Sequence, residues 1–150
     1  MKIGEIMNRA PISVRMDQTF GEAFGVLVET GHKFLPVVDA DGVYHGNFDL
    51  NDVWGVLLPK AARLDRKSIE NLAFVSSSIE KMREQLAEVA GTLVSKYVTR
   101  TDAPPLSPDN PVVQGILMLD ECGETLAVVD PHSKKLVGVL SATDVLNALR

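Results

Sequence analysis

A chain of 150 residues is one ordinary domain or two small units packed intimately, too short for a large multidomain enzyme. Its 45% hydrophobic and 23% charged residues, with 11 Gly and 8 Pro, are the balance of a globular protein with a sizeable core, which excludes the disordered and fibrous classes. Fifteen Lys and Arg against 20 Asp and Glu give a formal charge of -5, so no global field draws the chain to nucleic acid or to an anionic membrane, although a small anion can still be held locally.

The opening MKIGEIMNRAP carries charge early and has no continuous apolar run, so neither a secretory leader nor a membrane span is expected. Cys122 is the single cysteine, which rules out an internal disulfide and suits a reducing, cytoplasmic setting. A short strand is expected at residues 12–14. Thr19 and Glu22 then have the spacing of a capping box, and Phe20, Ala23, Phe24 and Leu27 fall on one helical stripe. That predicts a helix ending at Gly31, which can take the left-handed cap position. Strands at 34–38 and 43–48 flank a turn at Asp41 and Gly42, and a helix through Val53, Leu57 and Leu58 follows.

Residues 60–70 are charge-rich, with Lys60, Arg63, Asp65, Arg66, Lys67 and Glu70. Residues 79–93 have helical composition: Glu80, Lys81, Glu84 and Glu88 suit a solvent face, while Met82, Leu86, Val89 and Leu93 recur at intervals of three or four. A short strand is expected near Pro105 and Leu106. Asp109 can cap a further helix with Pro111 in its first turn, and Val112, Val113, Ile116, Leu117 and Leu119 would form a broad buried face ending at Gly123. Strands at 125–129 and 136–140 flank a turn from Asp130 to Lys135, and a helix through Val145, Leu146 and Leu149 closes the chain.

These elements repeat. The stretch from Phe34 to Leu57 lies over the stretch from Thr125 to Leu149 with one extra residue in the second turn, and Asp17 to Gly31 lies over Asp109 to Gly123. Each copy reads β-α-β-β-α, an α+β fold, with the first copy at 1–58, a connector containing a helix at 59–91 and the second copy at 92–150. Neither copy is long enough for a comfortable core alone, so the two are expected to pack together.

In PVVDADG, AVVDPHS and GVLSATDV, and in the order of the elements around them, the chain resembles a tandem pair of cystathionine-beta-synthase-type (CBS) domains. The resemblance implies two copies packed through their sheets about a pseudo-twofold axis, and pairing of two such modules into a homodimer. Many members of the family bind adenosine nucleotides or related compounds in clefts between the copies and transmit occupancy to an attached or separate partner. Others bind no known ligand and act as interaction modules. On that basis no cofactor is required, and AMP, ADP, ATP or S-adenosylmethionine is the expected class of regulatory ligand. The expected partners are a second copy and a separately encoded enzyme, transporter or regulator.

The sharpest local signal is Gly138 to Val145. Ser141 follows an apolar strand and precedes a helix, with Asp144 three positions later, so the pair can cap the helix as a short capping box with no ligand at all. The same place also suits an anion: free amides at a helix start and the Ser141 hydroxyl can donate to a phosphate, and Asp144 can accept from the two hydroxyls of a ribose. The CBS resemblance assigns those two roles to Ser141 and Asp144. In the first copy Asp52 matches the ribose-binding acid, but Asp49 stands where the family has Ser or Thr. Its carboxylate repels a phosphate, which makes the two sites unequal. By the same resemblance Ile12, Val37, Ala127 and Val139 would line the base, and each of them also suits a plain core position. Lys33, beside His32, is placed to meet a phosphate or simply to carry surface charge; the second copy has Glu124 nearby instead.

His32, His45 and His132 have no metal-ligand spacing, and no phosphate loop, nucleophile elbow or dinucleotide fingerprint is present. No catalytic residue and no metal ligand is therefore assigned. Trp54, in the first closing helix, suits core or dimer packing, and Cys122 suits a buried or incidental position.

Overall fold

A computed structural model describes residues 1–58, 79–98, 105–122 and 125–150. In chain order its elements are β1 (Val14–Arg15), α1 (Phe20–Thr30), β2 (Phe34–Val38), β3 (Tyr44–Asp49), α2 (Leu50–Leu57), α3 (Ile79–Val89), α4 (Val112–Cys122), β4 (Leu126–Val129), β5 (Leu136–Leu140) and α5 (Ala142–Leu149). Short 3-10 turns at Ile3–Glu5 and Val94–Lys96 lead into the two copies. The β-α-β-β-α order recurs as expected, with the first strand of each copy reduced. β1 is two residues long, begins at Val14 and leaves out Ile12, and the expected strand near Pro105 is a single parallel bridge between Leu106 and Val128. The charged stretch 60–70, Gly123 and Glu124 lie outside the described residues.

Helix ends follow the polar residues that flank them. Thr19 accepts from the Glu22 amide, but the Glu22 carboxylate is taken by the Gln18 carboxamide at 3.2 Å, so the reciprocal half of the expected box does not form. Gly31 closes α1 with φ 71°, in the left-handed region that favours glycine. Asp109 does not cap α4. Asn110 turns back onto the Ser107 amide and the helix starts only after Pro111, which leaves the Asp109 carboxylate 3.8 Å from the Lys2 ammonium.

The hairpin turns are held by their leading aspartates. Asp39 Oδ1 accepts from the Asp41 and Val43 amides, and Asp130 Oδ1 from the His132 and Ser133 amides. Gly42 has φ 84° in the first turn; the second turn holds its extra residue between Asp130 and Lys135, where Lys134 adopts φ 63°, and β4 has a register shift between Val128 and Val129.

The chain folds as two compact units that do not coincide with the two copies. One comprises Met1–Met16, Pro36–Asn47 and Val98–Arg150; the other comprises Asp17–Leu35 and Phe48–Tyr97. In the first unit the core joins Ile3, Met7, Leu106, Val128, Leu140 and Val145. The N-terminal segment is part of this core because its backbone is tied to the second copy. Ile3 and Gly4 donate to the Asn110 and Pro108 carbonyls, and Asn8 and Val139 exchange both amide hydrogen bonds at 2.9 and 3.0 Å. β4 and β5 pair antiparallel with Ala127 opposite Val139, while β1 pairs parallel with β2, Val14 opposite Val37.

The second unit repeats the pattern with the roles exchanged. Its lead-in, residues 90–97, is tied to the start of α1: Phe20 and Gly21 donate to the Thr92 and Ala90 carbonyls, and Val94 donates to Gln18. Phe20, Phe48 and Tyr97 meet edge to face, with centroids 5.0 to 6.4 Å apart. On α3 Glu80, Lys81, Glu84 and Glu88 are exposed and Met82, Leu86 and Val89 half-buried as expected, but the helix ends at Val89, and Leu93, the fourth residue expected on the apolar side, is exposed.

The broad buried face expected of α4 is a correction. Gly115 is buried and Met118 and Leu119 pack on the core, but Val113, Ile116 and Leu117 face solvent. The helix packs through one stripe only, and its remaining apolar residues have no cover among the described residues. Cys122 and Trp54 are exposed, which overturns the buried alternative for Cys122 and the core alternative for Trp54. No helix among the described residues is long and apolar enough to cross a membrane.

Candidate functional site

In the first unit, β5 ends at Leu140 and the chain enters α5 through Ser141, which keeps extended backbone angles. The approach is shaped by Gly138. A Cβ there would stand 2.7 Å from the Asn8 carbonyl oxygen and 2.8 Å from the Met7 sulfur, so only glycine admits the N-terminal segment at that depth. Ser141 and Asp144 close on each other. Asp144 Oδ2 accepts from the Ser141 amide at 2.8 Å and from its hydroxyl at 2.9 Å, while Ser141 Oγ accepts from the Asp144 amide at 3.2 Å. The capping reading of these two residues is therefore realised.

The cap does not exhaust the site. Asp144 Oδ1 has no hydrogen-bond partner among the described residues, and both side chains are half-buried rather than sealed. Ala142 and Thr143, the first two helical residues, are exposed, and amides in those positions have no acceptor within the helix. Two outward N–H groups, a hydroxyl oxygen and one spare carboxylate oxygen thus share a single helix start, an arrangement that can hold an oxyanion on one side and hydroxyls on the other.

The four apolar candidates belong to the same unit but are not equivalent. Ala127 and Val139 are register partners, Val139 half-buried and Ala127 7% exposed. Val37 is wholly buried in the core, while Ile12, just before β1, is 45% exposed. Ile12 and Val139 are therefore the members with surface to offer a ligand.

Asp52 and Lys33 lie in the second unit, at the start of α2. Asp49 Oδ1 accepts from the Asn51 and Asp52 amides at 2.9 and 3.3 Å, and Asp52 Oδ2 accepts from the Asp49 amide at 2.9 Å. The cap copies the one at Ser141, with a carboxylate in place of the hydroxyl, so two acids occupy one helix start. The Lys33 carbonyl accepts from Leu50 at 3.1 Å, which places Lys33 beside this cap with its side chain exposed.

Other titratable groups gather at the hairpin tips of the first unit. The His45 ring lies 2.9 Å from Asp39 Oδ2, and this bond, with the Val43 and Asp41 amides, holds the Asp39 carboxyl below its ordinary value. The amides of Ser133 and His132 do the same for Asp130. Burial pushes the Tyr44 phenol up to about 12 although it donates to Asn47 at 2.8 Å. Sequence reasoning missed the N-terminal segment as a neighbour of the Ser141 helix start. The available signal was Gly138, a glycine inside a strand, which often marks the close approach of another backbone. Among the described residues no cluster of three or more His, Cys, Asp or Glu is placed to hold a metal.

With this geometry in hand, comparison with known proteins identifies the class. The CBS domain family model matches residues 3–53 and 94–150, and the chain belongs to that family as a tandem pair. Each match begins at the 3-10 lead-in of its copy. No curated protein sequence matches the chain. Among solved structures, the chain is similar to a CBS domain-containing protein of unknown function from Kribbella flavida, at 22% identity and TM-score 0.71 over 99% of this chain and 98% of that one. It is similar to CBSX2 solved in complex with AMP, at 18% identity and TM-score 0.69 over 99% and 95% of the two chains. It is also similar to the CBS domain pair of MJ0100, solved with 5'-methylthioadenosine and S-adenosyl-L-methionine, at 17% identity and TM-score 0.62 over both whole chains.

Proposed function

We propose that the protein is a regulatory module without catalysis that binds an adenosine nucleotide at the start of α5 and responds by altering dimer geometry or partner binding. The observation that carries this reading is the uncommitted donor and acceptor set beside the Ser141–Asp144 cap. The free amides of Ala142 and Thr143 meet the phosphate, joined by the Ser141 hydroxyl when it turns from Asp144 Oδ2, Asp144 Oδ1 meets a ribose hydroxyl, and Val139 and Ile12 contact the base. The adenosine compounds bound by CBSX2 and by the MJ0100 pair support the ligand class. A ligand shifts the module between arrangements only by its differential affinity for them, so occupancy is the signal and no bond is made or broken.

Calorimetric titration with AMP, ADP, ATP and S-adenosylmethionine tests this, repeated on S141A and D144A. Saturable binding by the wild type, lost in folded variants, is the expected result; equal affinity in both variants overturns the site.

A second reading, a ligand-independent oligomerisation module, is favoured by the closed Ser141–Asp144 box and by the bare apolar residues of α4 and α5. The two readings share a homodimer and part on the titration. Residues 1–58 and 92–150 are the two copies in either case, with the connector at 59–91.

A further inference from the structure

We infer that the second unit carries a separate binding site for a small amphiphilic monocarboxylate, in a cleft between α1 and α3. The cleft has a volume of about 270 Å³. One end is fixed by backbone contact: the Gly21 amide donates to the Ala90 carbonyl at 3.0 Å, and a Cβ on Gly21 would stand 3.2 Å from that oxygen. Phe24, Leu86 and Ala87 supply the walls, and the surface they present is almost wholly carbon. Such a lining favours an apolar occupant, because water entering it finds no partners. The volume falls just short of the ~300 Å³ at which ligand pockets usually begin, which selects a small molecule.

Arg83 decides the rest of the ligand. It lines the same cleft, its side chain is exposed, and its guanidinium takes part in no hydrogen bond or ion pair among the described residues. With so little polar surface in the wall, its methylene stem forms part of the lining and its charged head stands at the mouth. The planar fork matches a carboxylate in two parallel hydrogen bonds. Glu80, one turn before Arg83 on the same helix face, already places one negative charge there, so a dianionic phosphate is disfavoured relative to a single carboxylate. An apolar body in the cleft with one carboxylate on Arg83 satisfies each of these features, and none of its contacts belongs to the nucleotide site proposed for the first unit.

Octanoate, with 1-octanol as its uncharged counterpart, is the probe pair for calorimetric titration of the full chain. Wild type is expected to bind octanoate saturably. R83Q, a change at an exposed side chain, is expected to weaken octanoate by about tenfold while leaving 1-octanol unchanged. A87F, which fills the cleft from the exposed face of α3, is expected to abolish both, with AMP binding the same in all three proteins. Absence of saturable octanoate binding by wild type overturns the site. Equal octanoate affinity in wild type and R83Q overturns the assignment of the carboxylate, and undiminished binding by A87F overturns the location.

Discussion

Ser141 and Asp49 occupy equivalent points in the two copies and each closes a capping box with the acid three residues on, so the pair isolates what a hydroxyl offers a ligand and a carboxylate does not. Asp and Ser are nearly equal as caps, so S141D is expected to keep the stability of the fold within about 0.5 kcal/mol, whereas S141A costs about 1 kcal/mol. For the proposed nucleotide site the order reverses. A carboxylate facing the phosphate lowers AMP affinity by about tenfold or more, while adenosine, which lacks the phosphate, is hardly affected. Thermal denaturation and titration of wild type, S141A and S141D with AMP and adenosine measure both halves. If S141D binds AMP as wild type does, the phosphate is not at this helix start.

The elements expose a contrast between two buried glycines of the first unit. At Gly138 a Cβ meets the Asn8 backbone, which is fixed by two hydrogen bonds, so G138A must break the Asn8–Val139 bridge and is expected to destabilise by about 2 kcal/mol. At Gly115 the nearest atom, at 2.6 Å, is the end of the Leu140 side chain, which can move, and alanine is the better helix former. G115A is therefore expected to stay within about 1 kcal/mol of wild type in urea denaturation. The hairpin tips add a pH dependence. Asp39 and Asp130 have carboxyls lowered by the hydrogen bonds they accept, so their contribution is fully present above the unfolded value of 3.8 and is lost as pH falls through the folded values. Denaturation of D39A and D130A should show a deficit near neutral pH that shrinks as pH falls below 3.8; a deficit that stays constant into the acid range counts against these hydrogen bonds as its source. Most of this layer was legible in the sequence, because caps and turns are local: Thr19, Gly31 and Ser141 needed only their near neighbours. The places where the reading failed depend on distant partners. Nothing near Lys2 or Asn8 indicates that they join the second copy, and Asp109 lost its cap to the competing turn at Ser107 and Asn110.

At the scale of the whole molecule, the repeat order and family were legible because duplication is a property of sequence alone. What each helix face touches was not, because α4 is apolar on more sides than its own unit covers. A helix apolar all round is ordinarily buried, yet Val113, Ile116 and Leu117 of α4 lie bare, with Leu117 62% exposed. Leu146 and Leu149 of α5 are 66% and 76% exposed. In the second unit Val28 of α1 and Trp54 of α2 are exposed as well. Five large apolar side chains on two adjoining helices form the kind of patch that marks an association surface, and a second copy supplies an apolar partner of the same kind. Sedimentation is therefore expected to report a dimer for wild type and a monomer with an unchanged circular dichroism spectrum for L117E/L146E, since neither residue belongs to the core. Each chain carries a charge of -5, so association should strengthen as salt is raised from low ionic strength to about 0.1 M, where charges more than about 10 Å apart are screened. A wild-type monomer at tens of micromolar, or a dimer that L117E/L146E leaves intact, removes these helices as the contact surface.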